Sequence, residues 1–284
     1  MMRVLVTGAG GQVGRELVEL CAGRGDEVIA CDHASLDVAD RDAVLGAVLS
    51  TEPDAVVHCA AWTAVDACEG DTDRALAVNA IGTRNVAEAT ARAGAHVVYV
   101  STDYVFDGTK ATPYDEWDAP NPTSSYGRSK WAGELELAGH PSATTVRISW
   151  VCGKYGANMV KTLLRLAGDG VDPAFVTDQI GHLTIVEDVV PLLRDFAVGR
   201  RPGLFHATNS GALSWFDVAQ AVFAAAGHDP ARVSPITTAQ LDPPRPAPRP
   251  ANSVLDNVAL RLAGLPGLPD GRESLARLVD QLSS

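Results

Sequence analysis

A tyrosine and a lysine lie four residues apart in the stretch TSSYGRSKWAGE (residues 123–134), as Tyr126 and Lys130. The hydroxyl residues at its start are good helix N-caps, so a helix is predicted to begin there. Residues at i and i+4 share a helix face, so both side chains should point the same way. A cation beside a phenol makes the phenol more acidic, which would suit a proton donor. A surface tyrosine over a solvated lysine is the alternative that this spacing alone leaves open.

Thr102 is a second candidate for chemistry, in the stretch VSTDYVFDG. It follows the apolar segment 96–101, which is predicted to be a buried strand. The carboxyl ends of parallel strands form the ligand-binding edge of such a sheet, so the Thr102 hydroxyl is expected there. It would lie beside a substrate carbonyl together with Tyr126, although a threonine at this point can also simply cap a turn.

Glycines at positions 8, 11 and 14 follow the first apolar segment, residues 3–7, in the spacing GxxGxxG. Such a loop lets the backbone turn tightly and approach a pyrophosphate, and the following helix presents free N–H groups to it. The position between a first strand and a first helix predicts dinucleotide binding far more strongly than the glycines alone.

Asp32 ends the second predicted strand, where a carboxylate binds the adenosine ribose hydroxyls and favours NADH over NADPH. His33 and Ser35 could instead meet a 2′-phosphate. The cofactor is therefore predicted to be NADPH or NADH, with the choice left open.

The elements that must position these groups alternate between apolar strands and amphipathic helices. This alternation predicts an α/β fold, a Rossmann-like doubly wound parallel sheet. The predicted strands are 3–7, 26–32, 54–61, 96–101 and 144–151, and the predicted helices include 41–50, 72–93, 158–168 and 214–227.

The alternation stops near residue 150, which divides the chain into two predicted parts. Residues 1–150 form the NAD(P)-binding domain, which the chain rejoins by about 176–200. Residues 151–284 mainly form a smaller C-terminal α/β substrate-binding lobe. The segment DPPRPAPRP (242–250) is predicted to be extended, and a plain linker is its alternative.

Composition excludes several classes of protein. The 284 residues are 46% hydrophobic and carry a net charge of −12, which argues against a nucleic-acid binder. No apolar run is long enough for a membrane span, so no membrane partner is expected. The five cysteines show no metal-binding spacing and favour reduced thiols. We therefore expect a cytoplasmic protein without a metal.

Together these motifs resemble an extended short-chain dehydrogenase/reductase. More narrowly, STDYVFDG, PYDEWDAPNPTSSYGRSKWAGE, RISWVCG and RPANSVLD resemble the dTDP-4-dehydrorhamnose reductase family, as do HCAAWTAVDACE and DQIGHLTIVEDVV. The similarity covers nearly the whole chain, and STDYVFDG is its most specific part. One departure is GHLTIVEDV, where the family usually has a proline before the threonine, which puts the local turn in doubt.

The resemblance implies that a reduced nicotinamide reduces the C4 ketone of a dTDP-4-keto-6-deoxy sugar. Tyr126 would protonate the new alkoxide, Thr102 would hydrogen-bond it, and Lys130 would lower the phenol pKa and hold the nicotinamide ribose. With Tyr126 and Lys130, the implied cofactor-binding residues are Gly8, Gly10, Gly11, Gln12, Val13, Asp32, Asp37, Val38, Ala60, Ala61 and Thr63. The implied substrate-binding residues are Val65, Asp103, Tyr104, Trp150 and Arg249.

Asn79 is expected to orient neighbouring groups, and a homodimer is left open. A nucleotide-sugar 4,6-dehydratase is the weaker alternative, because such enzymes usually have Asp-Glu after the threonine and this chain has Asp103 and Tyr104. An epimerase, or a regulatory subunit that binds a dinucleotide without turnover, also remains an alternative.

Overall fold

A computed structural model describes residues 1–283 as an α/β structure. Its strands are β1 (Arg3–Thr7), β2 (Glu27–Cys31), β3 (Ala55–His58), β4 (His96–Thr102), β5 (Ala143–Ile148), β6 (Val151–Cys152), β7 (Ala174–Val176), β8 (Ile180–Gly181), β9 (Thr184–Ile185), β10 (Gly203–His206), β11 (Leu213–Ser214) and β12 (Ser234–Ile236).

The helices alternate with these strands in the first half of the chain. They are α1 (Gln12–Gly23), α2 (Arg41–Thr51), α3 (Val65–Gly70), α4 (Thr72–Leu76), α5 (Gly82–Ala93), α6 (Ser125–Leu137), α7 (Met159–Gly168), α8 (Val186–Gly199), α9 (Trp215–Ala225), α10 (Val258–Leu262) and α11 (Gly271–Ser283). A π-helical turn, Ala77–Ile81, joins α4 to α5.

The main sheet has six parallel strands in the order β10-β5-β4-β3-β1-β2. The chain reverses its direction of strand addition after β2, so β1 and β3 flank the switch point of the sheet. Ligands of open α/β sheets bind in the crevice at such a point, outside the carboxyl ends of the strands. The predicted doubly wound fold is confirmed.

Alternate residues of each strand face opposite helical layers. Val4 and Val6 of β1 pack with α1 and α8, whereas Leu5 packs with α2 and α5. All three side chains have no exposed surface, as expected of a strand covered on both faces. This two-sided core holds the strand ends, and hence the loops after them, in fixed positions.

The C-terminal half has a separate core. Leu163 of α7, Phe223 of α9 and Leu275 of α11 pack together with β9 and β11. Three two-stranded sheets, β11–β8, β12–β7 and β6–β9, complete this lobe. It contacts the main sheet beside the carboxyl ends of the strands.

Three differences from the predicted elements concern the main sheet and the cleft beside it. Strands β3 and β5 end before residues 61 and 151, because the residues after them leave the sheet to line a cleft. The predicted helix 72–93 contains the π-helical turn. Strand β10 was not predicted, since its four residues lie alone in the C-terminal half, just after the range 176–200 in which the chain was expected to rejoin the first domain.

Among residues 1–283, no helix combines the length and apolar character needed to cross a membrane. The five cysteines are unpaired thiols.

Candidate active site

A cavity of roughly 350 Å³, here called the central cavity, lies at the carboxyl edge of the sheet. Its walls come from the glycine loop after β1, the end of β4, helix α6 and the segment after β5. Thr102, Tyr126 and Lys130 all line it. The fold therefore brings together three residues that the sequence separates by up to 28 positions.

Helix α6 begins where the sequence predicts, and Ser124 caps it. The Ser124 backbone is extended, and its Oγ accepts a hydrogen bond from Gly127 N at 3.0 Å. Tyr126 is 9% exposed and Lys130 is 2% exposed. The alternative of a surface tyrosine over a solvated lysine is therefore wrong.

Tyr126 packs among apolar and aromatic groups. Its ring meets the edge of Tyr104 with centroids 5.6 Å apart, and Cys68 and Ala75 belong to the same cluster. Burial raises the pKa of the Tyr126 phenol well above its ordinary value, and the Asp103 charge raises it further. The phenol is therefore protonated at neutral pH, as a proton donor must be.

Lys130 has different partners from those expected. Its Nζ donates to the Val100 carbonyl oxygen at 2.7 Å and lies 4.1 Å from the centroid of the Tyr99 ring. Burial lowers the pKa of Lys130 to about 7, and Glu134 opposes this shift. Desolvation is the largest influence on the Tyr126 phenol and raises its pKa overall. The predicted acidifying effect of Lys130 on the phenol stays a prediction.

Thr102 caps a turn and also faces the central cavity. Its Oγ1 accepts from Tyr104 N at 3.2 Å and so caps the short 3₁₀ turn Asp103–Val105. The same hydroxyl donates to Asp103 Oδ1 at 3.0 Å and also lines the central cavity. Burial raises the pKa of Asp103 to about 6, and no described group hydrogen-bonds its Oδ2.

The glycine loop has no room for side chains at two positions. Gly8 has φ +67°, and a Cβ there would lie 2.6 Å from Ala60 N. A Cβ on Gly14 would lie 2.2 Å from the Gly8 carbonyl oxygen. No side chain caps the N-terminus of α1, so its N–H groups face the loop. This is a backbone cradle suited to a phosphate group.

A second cavity of roughly 580 Å³, the glycine-side cavity, adjoins the central one. The two share Gly8, Gly11, Cys59 and Ala61 in their walls. The predicted cofactor residues all line one or both cavities. Those in the glycine-side cavity are Gly8, Gly10, Gly11, Asp32, Asp37, Val38, Ala60 and Ala61, and those in the central cavity include Gln12, Val13, Thr63, Tyr126 and Lys130.

Asp32 is exposed at the mouth of the glycine-side cavity. Its Oδ1 accepts from Ala34 N at 3.1 Å and from Ser35 N and Ser35 Oγ, each at 2.9 Å. These hydrogen bonds lower the pKa of Asp32, with the Ser35 side chain as the largest cause. Ser35 therefore fixes the carboxylate in place.

The predicted substrate residues divide between two cavities. Val65, Asp103, Tyr104 and Trp150 line the central cavity, whereas Arg249 lines a third, the arm cavity, of roughly 340 Å³. Tyr104 and Trp215 belong to the walls of both. The Trp150 and Trp215 rings stack with centroids 3.9 Å apart. Trp215 was missed in the sequence, where its only signal is an aromatic residue directly after the Ser214 cap of α9.

Segment 242–250 packs against the first domain and is more than a linker. Arg249 Nη2 donates to Asp66 Oδ2 at 2.9 Å, and Ala247 N donates to Asp66 Oδ1 at 3.1 Å. The Arg249 guanidinium is paired with Asp66 and is largely withdrawn from solvent, since its side chain is 17% exposed. The segment therefore closes one side of the arm cavity.

Asn79 is buried and links three elements, as its predicted orienting role requires. Its Oδ1 accepts from Trp62 N at 2.8 Å, and its Nδ2 donates to Trp62 O at 3.1 Å and to Ser129 Oγ at 2.9 Å. It lies within the π-helical turn, a feature often found at functional sites. The loop after β3 and the helix that carries Tyr126 are thus held by one amide.

A family profile described as the RmlD substrate binding domain matches residues 2–284. The chain belongs to this family. It is 44% identical to a dTDP-4-dehydrorhamnose reductase of Mycolicibacterium smegmatis, over 96% of this chain and 84% of that protein. It is 43% identical to a probable dTDP-4,6-dihydroxy-2-methyloxan-3-one 4-ketoreductase of Streptomyces antibioticus, over 96% of this chain and 93% of that protein.

Among solved structures, the dTDP-4-dehydrorhamnose reductase of Bacillus anthracis in complex with NADP superposes with a TM-score of 0.94 at 38% identity. The superposition covers 99% of each chain. Family membership and the geometry of the site agree on an oxidoreductase with a dinucleotide fold. Within residues 1–283, no group of three or more histidine, cysteine or acidic side chains is arranged to hold a metal ion.

Proposed function

We propose that this protein uses NADPH or NADH to reduce the C4 ketone of a dTDP-4-dehydro-6-deoxy-L-sugar, converting dTDP-4-dehydrorhamnose to dTDP-L-rhamnose. The observation that carries the proposal is a buried phenol, Tyr126, in a cavity continuous with a glycine-lined backbone cradle. The family and the named activities of its members support the same reaction.

The residues present fit a dinucleotide. The glycine loop after β1 would receive the pyrophosphate, since side chains at Gly8 and Gly14 would collide with backbone atoms. Asp32 would accept from the adenosine ribose hydroxyls, and Lys130 would donate to the nicotinamide ribose. When bound, the reduced nicotinamide supplies the hydride.

The proton comes from Tyr126. The buried phenol is protonated at neutral pH, and an alkoxide at C4 is a much stronger base, so the proton passes from the Tyr126 oxygen to the sugar oxygen. Lys130, when charged, stabilises the phenolate that remains until solvent returns the proton. Thr102 serves the same sugar oxygen once its hydroxyl hydrogen turns away from Asp103.

The sugar nucleotide would span the central and arm cavities. Val65, Asp103, Tyr104 and Trp150 would enclose the sugar. Arg249 would bind the diphosphate of the sugar nucleotide. Its guanidinium would then hydrogen-bond both Asp66 and the ligand. In this proposal residues 1–150 would hold the cofactor and contribute these four sugar contacts, and residues 151–284 would complete the substrate side with groups such as Arg249. The cytoplasmic location stays a prediction, and a homodimer stays open.

One observation favours a second candidate product. The relative from Streptomyces antibioticus is named a 4-ketoreductase for a different dTDP-sugar. Its sequence identity to this chain, 43%, is almost the same as the 44% of the relative from Mycolicibacterium smegmatis. Reduction of another 4-keto deoxysugar is therefore the second candidate.

The test is to incubate the purified protein with NADPH or NADH and dTDP-4-dehydrorhamnose, following nicotinamide absorbance and the sugar product. Stoichiometric oxidation with formation of dTDP-L-rhamnose is expected. Interconversion of sugars without net oxidation would identify an epimerase. Binding of NADPH without reaction of any dTDP-4-keto sugar would identify a regulatory subunit, and either result would overturn the proposal.

A further inference from the structure

Arg74 is an exposed cation in the wall of the glycine-side cavity. Its guanidinium carbon lies 4.5 Å from the centroid of the Trp62 ring, within the range of a cation–π contact. Within residues 1–283, this guanidinium makes no ion pair. The side chain is therefore held against a flat aromatic face while its donors remain available to a ligand.

Trp62 is itself held in place. Asn79 hydrogen-bonds both the N–H and the carbonyl of Trp62, so the backbone that carries the indole is fixed from a buried side chain. The backbone of Arg74 is also fixed, since its N–H donates to Asp71 Oδ1 at 3.0 Å. The stacked pair is a preorganised feature of the cavity wall.

Few cationic side chains line the central cavity and the glycine-side cavity. Arg74 is the one arginine among the described residues that line them, and Lys130, the one lysine, lies at the catalytic end. Asp32 and Asp37 add negative charge to the glycine-side cavity. The N-terminus of α1 contributes only about half an elementary charge. A pyrophosphate bound here would therefore gain from a further cation.

We propose that Arg74, held against Trp62, binds the pyrophosphate of the nicotinamide dinucleotide from the side opposite the glycine loop. This inference rests on the proposed function. Trp62 follows β3, which pairs directly with β1, the strand that ends in the glycine loop. Asp32 follows β2, on the far side of β1. Arg74 therefore belongs beside the pyrophosphate rather than beside a 2′-phosphate.

The test is Arg74→Gln, with dissociation constants for NADH and NADPH measured by isothermal titration calorimetry. Both constants should rise roughly tenfold, because one charge-assisted hydrogen bond to a group common to both cofactors is lost. In turnover assays, KM for the cofactor should rise and kcat should stay near the parent value, since Arg74 lies away from the reacting atoms.

Fragments of the cofactor locate the contact. ADP carries the diphosphate and should lose the same factor in affinity for Arg74→Gln, whereas adenosine should bind both proteins equally. Arg74→Lys keeps the charge but not the planar stack on Trp62. Its affinity for the cofactors should therefore lie between those of the parent protein and Arg74→Gln.

Arg92→Gln is the matched control. Arg92 is an exposed arginine on α5 that pairs with Glu88 and lies outside both cavities. This variant should bind both cofactors normally, and circular dichroism should show that both variants are folded.

Loss of affinity confined to NADPH would overturn the inference and assign Arg74 to the 2′-phosphate. Unchanged affinity for both cofactors would also overturn it. In either case the parent protein would still bind cofactor, so the proposed function would stand. Failure of the parent itself to bind either dinucleotide would instead remove the proposed function.

Discussion

The central cavity and the glycine-side cavity adjoin each other but are built by different means. In the central cavity, the groups that would do chemistry are side chains withdrawn from water, and Tyr126, Lys130 and Asp103 all have shifted pKa values. In the glycine-side cavity, the main contributors are backbone groups and exposed side chains, among them Asp32 and Arg74.

The difference shows how one sheet edge serves two purposes. Binding a phosphate needs oriented N–H groups and close approach, which backbone supplies at little cost. Proton transfer needs a side chain whose proton affinity is controlled, and burial is the strongest control in this site. Substitutions should therefore separate turnover from cofactor binding, depending on which cavity they change.

Tyr126→Phe should give the largest effect on turnover. It keeps the ring and most of its packing but removes the proton donor, so kcat should fall by about 10²–10⁴. NADPH affinity should change little by calorimetry, because the glycine side is untouched. Thr102→Val should cost less, and the double variant should lose less than the product of the two factors, since both groups serve one oxygen.

Tyr155→Phe provides a control, because this phenol hydrogen-bonds Glu19 and does not line the central cavity. It should keep the parent rate. A Tyr126→Phe enzyme as fast as the parent would mean that the phenol is not the acid.

Gly11→Val should give the largest effect on binding. A Cβ on Gly11 would already lie 3.2 Å from the Gly8 carbonyl oxygen, and the branched side chain would extend into the phosphate cradle. Cofactor affinity should fall by about tenfold or more while circular dichroism is unchanged. Gly23→Val, where a Cβ would meet nothing within 4 Å, should bind normally. Normal cofactor binding by Gly11→Val would show that the loop is a tight turn with no role in binding the pyrophosphate.

The pH dependence of kcat/KM should report Lys130. Because burial lowers its pKa to about 7, the ammonium charge is complete below that pH and is lost as pH rises through it. The value of kcat/KM should therefore decline above about pH 7, approaching about tenfold per pH unit. ADP binding should not share this decline, since ADP does not reach Lys130.

Lys130→Arg keeps its charge over the whole range and should remove the decline, even if its overall rate is lower. A profile that declines identically in both proteins would assign the titration to another group.

Asp32→Asn should give the smallest effect. The amide keeps an acceptor for Ser35 but removes the charge, so NADH affinity should fall only a few-fold at this exposed position, and NADPH affinity should fall less or rise. Equal losses for both cofactors would show that the carboxylate does not contact the ribose. Calorimetry with both cofactors decides between these outcomes.

The sequence predicts those parts of the site that depend on local rules. Helical spacing places Tyr126 and Lys130 on one face, and the end of a buried strand places Thr102 at the ligand edge. Five of the six main strands follow from apolar runs. Burial is not visible in spacing, and for that reason the sequence does not reveal that the pKa of the Tyr126 phenol is raised overall.

The remaining parts depend on contacts between distant segments. Trp215 reaches the central cavity from a helix that begins more than 60 residues after β5. Arg74 becomes a candidate pyrophosphate-binding residue only because it stacks on Trp62. Likewise, β10 is recognised as a strand of the main sheet only because it pairs with β5. A four-residue apolar run does not reveal its partner before the chain is folded.

The position of β10 also has a consequence for biosynthesis. β5 pairs with β10 on its outer edge, and α8 covers α1 through Val189, Leu193 and Phe196. A nascent chain that has left the ribosome only as far as residue 150 thus carries every predicted cofactor residue but has an open strand edge and an uncovered apolar layer. Such edges promote aggregation. The strand edge and the apolar layer are covered only once β10 and α8 have emerged, so we expect this half to complete its folding only after residue 206 has left the ribosome.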